Sequence, residues 1–91
     1  MYVILVYDIK SEGGAKIWRK TFKTCKRYLS HIQNSVFEGE ISEAQLLQLK
    51  YELNGIIRKD DDSIIVFKSR NEKWIPKEMW GIQEDATGNF L

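Results

Sequence analysis

Hydrophobic and polar positions divide the first third of the chain into a strand, a loop and a helix. Residues 2–9 (YVILVYDI) form an unbroken β-branched and aromatic run, which predicts a central strand buried on both faces. Residues 10–14 (KSEGG) follow as a loop. Residues 15–29 place apolar side chains three and four positions apart, which predicts an amphipathic helix. Its apolar stripe consists of Ala15, Trp18, Phe22, Cys25 and Leu29.

The middle of the chain is extended and then helical. Residues 31–41 (HIQNSVFEGEI) predict either one bent strand or two short strands with a tight turn, and Gly39 is a candidate bulge. Ser42 and Gln45 have the spacing of a capping box, which predicts that a second helix begins there. Asn54 and Gly55 predict its termination. Its apolar stripe consists of Leu46, Leu49, Leu53 and Ile56.

The last third predicts one more strand and an extension. Residues 63–68 (SIIVFK) follow an acidic loop at residues 60–62 and predict another buried strand. Pro76 and Gly81 confine any strand at residues 74–83 to a sheet edge. The resulting order predicts an α+β fold, a single ferredoxin-like βαββαβ sandwich over residues 1–91 with an extra C-terminal strand. We expect the extension, residues 84–91, to pair with a partner subunit.

Length and composition narrow the class of protein. A 91-residue chain with one Cys and one His excludes an internal disulfide and a four-ligand zinc site. So small a domain is marginally stable alone, which favours oligomerisation. The apolar N-terminal run is too short for a signal peptide or a membrane span. Together with the free Cys25, this predicts a cytoplasmic protein without membrane partners.

The charge distribution changes the meaning of the small net charge of +1. Residues 1–31 carry seven Lys or Arg against two Asp or Glu, a net of +5, whereas residues 32–63 carry three against seven, a net of −4. A concentrated basic helix face is typical of phosphate binding, although a solvated helix face is the alternative. The basic residues of the first helix are Lys16, Arg19, Lys20, Lys23, Lys26 and Arg27.

Asp8 is the most specific candidate for chemistry. A carboxylate that ends a buried strand beside a glycine-containing loop suits Mg²⁺ ligation, and equally suits a turn or cap acceptor. One carboxylate is too few for a two-metal site, whereas a two-fold dimer would bring two copies together. His31 is either a general base or an ordinary surface or core residue. The acidic run at residues 60–62 is either a cation site or a solvated loop, and Cys25 is expected to be a buried, inert thiol.

The combination of MYVILVYDI, a basic helix and HIQNSVFEGEIS resembles the second family of CRISPR-associated proteins (Cas-two) over essentially the whole chain. The resemblance implies a homodimer whose C-terminal strand pairs with the other subunit, and a role in spacer acquisition together with CRISPR integrase subunits. It also implies a metal-dependent endonuclease activity on RNA or double-stranded DNA. The family's metal-ligating aspartate corresponds to Asp8, and its functional Ser and Phe correspond to Ser35 and Phe37. Many members have Arg where His31 stands, which puts phosphate binding there in question.

Two hypotheses follow, and a third is weaker. In the first, paired Asp8 carboxylates hold Mg²⁺ or Mn²⁺ for phosphodiester hydrolysis, with Ser35 and Phe37 as further catalytic residues. In the second, the dimer is a non-catalytic scaffold that bridges integrase subunits and binds duplex DNA. The third is a toxin-like ribonuclease or a plain dimerisation module on the same fold. The candidate nucleic-acid-binding residues are Lys10, Lys16, Arg19, Lys20, Lys23, Arg27 and His31.

Overall fold

The computed structural model describes residues 1–74 and 76–81 of the chain. The elements are β1 (Tyr2–Asp8), α1 (Ala15–Tyr28), β2 (Ser30–Gln33), β3 (Val36–Glu40), α2 (Glu43–Asn54) and β4 (Ser63–Ser69), with a 3-10 turn at Glu72–Trp74. The predicted βαββαβ order is therefore confirmed. Residues 76–81 contain no strand. The predicted extension at residues 84–91 lies outside the described residues.

The four strands form one antiparallel sheet in the order β2-β3-β1-β4. Each helix connects two strands that run in the same direction with a third strand between them, which is the split βαβ arrangement. β1 is central, as its sequence predicts. Val3 and Leu5 are fully buried, whereas Ile4 and Val6 are half-buried on the opposite face. Burial of β1 on both faces was therefore only partly correct, because both helices pack on the same face of the sheet.

α1 packs on the sheet through part of its predicted apolar stripe, since Cys25 and Leu29 are in the core and Phe22 packs against it. Cys25 is buried as expected, but Ala15 is exposed, and the other buried positions within α1 are Thr21 and Thr24. These small side chains allow α1 to lie close to the neighbouring layer. The larger ring of Trp18 is displaced to the rim, where it is 37% exposed and packs edge-on against a tyrosine of β1.

The sequence leaves open whether residues 31–41 form one bent strand or two short strands, and the structure shows two. These strands, β2 and β3, are joined by a tight turn, in which Asn34 has a φ of 40°. The bulge lies between His31 and Gln33 rather than at Gly39, so that prediction was wrong. Gly39 pairs in regular register, and a Cβ there would lie 3.4 Å from Leu29 Cδ2. The glycine makes room for the leucine.

α2 begins as its sequence predicts. The Gln45 backbone N–H donates to Ser42 Oγ, and the Ser42 backbone N–H donates to Gln45 Oε1, both at 3.0 Å. Leu49 and Leu53 are buried in the core, and the helix ends at Asn54 with Gly55 as its C-cap. Neither α1 nor α2, within the described part of the chain, has the length and apolar composition that a bilayer span requires.

β4 was predicted as a buried strand, and the structure shows that this is wrong. It pairs only with β1 in the described part of the chain, so it lies at the edge of the sheet. Ile65 and Phe67 are 55% and 53% exposed. Their side chains lie on the face opposite the helices, where the helices give no cover. We call this the open face.

Lys77, in the segment of residues 76–81, contacts the open face at the β3 side. The Glu38 carboxylate accepts hydrogen bonds from the Tyr2 hydroxyl and from the Lys77 ammonium group. Burial, followed by the hydrogen bond to Glu38, raises the pKa of Tyr2 well above its usual range. This network ties the segment beyond the 3-10 turn to β1 and β3, and Ile65 and Phe67 on β4 remain accessible.

Candidate functional site

Asp8 ends β1 with its side chain exposed on the open face. Because Leu5 and Tyr7 belong to the core beneath the helices, strand alternation places Asp8 on the same side as Val6. Asp8 pairs in register with Ser63 of β4. The carboxylate therefore lies at the end of the open face, which neither α1 nor α2 covers.

The turn between β2 and β3 lies beside the same end of β1. The Tyr7 backbone N–H donates to the carbonyl oxygen of Ser35 at 3.1 Å. The structure thus brings two of the three predicted catalytic positions, Asp8 and Ser35, to one end of the sheet. The catalytic role of Ser35 stays a prediction.

Phe37 is placed elsewhere, in the centre of the core with no exposed surface. Its ring centroid lies 5.4 Å from that of Phe22 and 6.1 Å from that of Tyr7. A side chain in this position acts on a surface site through packing rather than by contact with substrate. A functional role for Phe37 therefore stays a prediction, of a positioning kind.

His31 belongs to an aromatic cluster beneath α1. It is half-buried, with ring centroids 4.8 Å from Phe22 and 5.0 Å from Phe37. His31 Nε2 lies 2.9 Å from the carbonyl oxygen of Asn34. Since a carbonyl only accepts, that nitrogen carries the proton and donates it locally. Nε2 is therefore occupied within the hairpin, and phosphate binding by His31 stays a prediction.

The basic face of α1 lies on the helix layer, on the other side of the sheet from the Asp8 carboxylate. Its exposed members are Lys16, Arg19, Lys20, Lys23 and Lys26. Within one chain, the structure does not place these ammonium and guanidinium groups on the open face. A single strand of nucleic acid lying flat on α1 would not pass across Asp8 of the same chain.

Two other predicted phosphate contacts already have carboxylate partners. Arg27 forms an ion pair with Glu52 of α2. The Tyr28 hydroxyl and Arg27 both donate to Glu52 and hold the pKa of its carboxyl below the usual value. Lys10 Nζ lies 3.8 Å from Asp61 Oδ1. Arg27 thus joins the two helices, and the charge of Lys10 is partly balanced.

The thiol of Cys25 is buried, as its place on the apolar stripe predicts. Burial raises the pKa of Cys25 to about 12, so the thiol stays protonated at neutral pH. The prediction of a buried thiol is confirmed.

The acidic loop before β4 contains an ion pair that the sequence pattern alone does not reveal. Asp62 is buried, so the interpretation of residues 60–62 as a solvated loop is wrong at that position. Its carboxylate accepts from Arg58 Nε at 3.0 Å and from Arg58 Nη2 at 2.9 Å. The four-residue spacing of Arg58 and Asp62 was the available indication.

A divalent metal ion fits Asp8 only in part within one chain. In residues 1–74 and 76–81, no group of three or more His, Cys, Asp or Glu side chains is close enough to hold a metal. Mg²⁺ usually takes one or two protein carboxylates and fills its other positions with water and phosphate oxygens. The exposed Asp8 carboxylate supplies one such ligand.

Comparisons with known proteins agree with this fold and sequence pattern. The family model described as CRISPR associated protein Cas2 matches residues 1–75. A Fusobacterium nucleatum protein named CRISPR-associated endoribonuclease Cas2 is 63% identical over 92 residues, covering 100% of this chain and 87% of that protein. A Moorella thermoacetica relative, CRISPR-associated endoribonuclease Cas2 2, is 40% identical over 98% of this chain and 100% of its own.

Solved structures agree with this assignment. The crystal structure of Streptococcus pyogenes Cas2 at pH 6.5 superposes with a TM-score of 0.80 and 32% identity, covering 89% of this chain and 100% of that one. A second structure, described as a crystal structure of cas2, has a TM-score of 0.77 and 34% identity over 100% of this chain and 95% of its own. The fold, the matching family model and the identity to relatives agree, and the chain belongs to the Cas2 family of CRISPR-associated proteins.

Proposed function

We propose that this chain is a metal-dependent endoribonuclease that acts as a homodimer in a CRISPR system. The observation that carries the proposal is the exposed Asp8 carboxylate at the end of β1, on a face that neither α1 nor α2 covers. Relatives with 63% and 40% identity bear the name endoribonuclease, which supports the reaction class. Each chain has one Asp8, which supports a site assembled from two chains.

The open face supports the proposed dimer. Ile65 pairs with Val6, and Phe67 pairs with Ile4, so four apolar side chains form one patch beside the Asp8 strand. Both β4 members of the patch are more than half exposed. An exposed apolar patch rimmed by polar groups is typical of an interface. A second copy on this patch, with its two-fold axis near the end of β1, brings the two Asp8 carboxylates together.

The outer edge of β4 supports a further part of the dimer. In the described residues β4 has no strand on its outer side, and a groove of about 580 Å³ lies between it and α2. An unpaired edge of this kind accepts an added strand. We propose that residues 84–91 of the second copy pair there, as the sequence predicts.

In this dimer, the two Asp8 carboxylates would hold Mg²⁺ or Mn²⁺. When bound, such an ion lowers the pKa of a coordinated water and stabilises negative charge on the scissile phosphate. Asp8 itself contributes an anionic oxygen ligand that is already exposed at the end of a paired strand, where the backbone is held. The Ser35 backbone lies beside that strand end, and the catalytic role of Ser35 stays a prediction.

Metal removal tests the proposal directly. Purified wild-type protein is incubated with single-stranded RNA and, separately, with duplex DNA, in Mg²⁺, in Mn²⁺ and in excess EDTA. We expect internal cleavage of RNA with either metal, none in EDTA, and recovery when metal is restored. Cleavage that is equal with and without EDTA would exclude a metal-dependent site, and cutting of duplex DNA alone would exclude the ribonuclease assignment.

A second candidate function is a scaffold in spacer acquisition, in which the dimer bridges CRISPR integrase subunits and holds duplex DNA. The positions of the charged groups favour the scaffold function, because the basic face of α1 and the Asp8 carboxylate lie on opposite sides of the sheet. A duplex held on α1 needs no contact with Asp8. The two functions therefore use different surfaces and are separable by mutation.

Neutralising the basic face is expected to weaken duplex DNA binding. The variant changes Lys16, Arg19, Lys20 and Lys23 to Gln, and the control changes Lys50, Lys59, Arg70 and Lys73 to Gln. The slope of log affinity against log salt becomes shallower by about 0.9 for each phosphate that the protein no longer neutralises. Fluorescence anisotropy at several salt concentrations measures this slope. Equal weakening in both variants would show that net charge, rather than the α1 face, binds DNA.

A further inference from the structure

The buried Asp62 carboxylate accepts a hydrogen bond from the loop that follows Asp8, residues 9–14. Its Oδ1 accepts from the Lys10 backbone N–H at 2.9 Å, and its Oδ2 accepts from the Arg58 backbone N–H at 2.8 Å. Hydrogen bonds from Arg58 hold the pKa of Asp62 far below its usual value. The carboxylate is therefore charged throughout the neutral range, although its side chain has no exposed surface.

The guanidinium of Arg58 reaches the same loop from the other side. Besides its two bonds to Asp62, Arg58 donates through Nη1 to the carbonyl of Glu12 at 2.6 Å and through Nη2 to the carbonyl of Lys10 at 2.8 Å. This planar group joins a buried carboxylate to two backbone carbonyls 46 and 48 residues away along the chain. A lysine ammonium lacks the planar fork that reaches all of these acceptors.

Both glycines of the loop lie close to the Arg58 guanidinium. A Cβ at Gly14 would collide with the Lys10 carbonyl oxygen and would lie 3.2 Å from Arg58 Nη2. Gly13 has a φ of 67°, and a Cβ there would lie 3.5 Å from Arg58 Nη1. The loop's internal backbone bond, from Gly14 N–H to the Ser11 carbonyl, closes only a local turn. The path of the loop thus depends on Arg58 and Asp62.

The same contacts lie next to the proposed catalytic carboxylate. Asp8 is the last paired residue of β1, opposite Ser63, and Asp62 directly precedes Ser63. The hydrogen bond from Lys10 N–H to Asp62 extends the contact between the β1 and β4 segments two residues beyond Asp8. The pairing of β1 with β4 therefore holds the backbone up to Asp8, and the hydrogen bond to Asp62 holds the backbone that follows it.

We propose that Arg58 and Asp62 form a latch that positions the Asp8 carboxylate by fixing residues 9–14. This inference rests on the proposed function of Asp8 and extends it to two positioning residues outside the reacting groups. The latch touches neither metal nor substrate. Its effect is to keep Asp8 at the spacing and direction that the second copy's Asp8 requires.

Arg58→Lys is the principal variant, because it keeps the charge and removes the fork. We expect kcat for RNA cleavage to fall roughly tenfold to a hundredfold, the size of effect that a displacement of about 1 Å produces, with KM for RNA unchanged. The assay is run well below the thermal midpoint of every variant. Arg70→Gln, which removes an exposed charge outside the latch and outside the groove beside β4, is the control with wild-type kcat. Gly14→Ala displaces the loop through its collision with the Lys10 carbonyl, keeps both latch residues in the sequence, and serves where Arg58→Lys fails to fold.

Hydrogen exchange of residues 9–14, followed by mass spectrometry, gives a measurement that is independent of cleavage. We expect faster exchange there in Arg58→Lys and Gly14→Ala, with exchange in β2 and β3 unchanged. Faster exchange with a lowered kcat and unchanged KM supports the latch. Unchanged exchange, or unchanged kcat despite faster exchange, overturns it. If wild-type protein cleaves no RNA, the proposed function fails, and the exchange of residues 9–14 alone decides whether the latch holds the loop.

Discussion

Replacing Asp8 with Asn is expected to lower metal-dependent RNA cleavage by more than about a hundredfold. Even residues that only orient a metal ligand change metal affinity or activity by about 10–100-fold, and removal of a ligand costs more. Asn keeps the shape of the side chain but removes the charge that attracts the ion. Because Asp8 is exposed, the free energy of unfolding should change by no more than about 0.5 kcal/mol.

A mixed dimer makes this prediction sharper. One chain carries Asp8→Asn and an affinity tag, and the other is wild type with a different tag, so that tandem purification isolates dimers with a single Asp8. If both carboxylates form one site, the mixed dimer should be nearly as inactive as the double variant. Two independent sites would leave half of the wild-type rate and would contradict the shared site. Asp60→Asn, which neutralises an exposed acid of the loop before β4, is the matched control.

Local sequence rules predicted the order of the elements because each rule involves residues only a few positions apart. The capping box at Ser42 and the termination at Gly55 depend on contacts within one helical turn. The position of β4 could not be obtained in this way. An apolar strand such as residues 63–68 has the same pattern whether a helix or a second copy of the chain covers its outer face. In the single chain Ile65 and Phe67 are more than half exposed, which the sequence pattern does not reveal.

The candidate site shows the same limit. Asp8 was identifiable because a carboxylate at the end of an apolar run is conspicuous in the sequence. Arg58 and Asp62 were not, since an Arg and an Asp four residues apart usually form a solvated pair. Their importance comes from the loop that they bind, 46 to 52 residues away along the chain. Only the folded chain brings that loop against the buried carboxylate.

The resemblance to a known family raised a different question at Phe37, where a functional aromatic residue was expected. The side chain is fully buried, and its ring contacts those of Tyr7, Phe22 and His31. A contact with nucleic acid and a packing role predict different results for a graded series of substitutions. Substitutions at Phe37 therefore distinguish the nucleic-acid contact that the family resemblance implies from the packing role that the geometry indicates.

Phe37→Ala is expected to lower the free energy of unfolding by about 3–5 kcal/mol, because it removes a fully buried ring and leaves a cavity. A domain of 91 residues is held by roughly 5–14 kcal/mol in total, so the variant is partly unfolded under mild denaturant. Urea unfolding measures the loss, and Tyr51→Ala, on the exposed side of α2, is the control with a change of no more than about 0.5 kcal/mol. Phe37→Leu should retain more of the packing and more of the cleavage rate. If Phe37→Leu instead unfolds like wild type and cleaves no RNA, the ring acts on the substrate, and the packing interpretation is wrong.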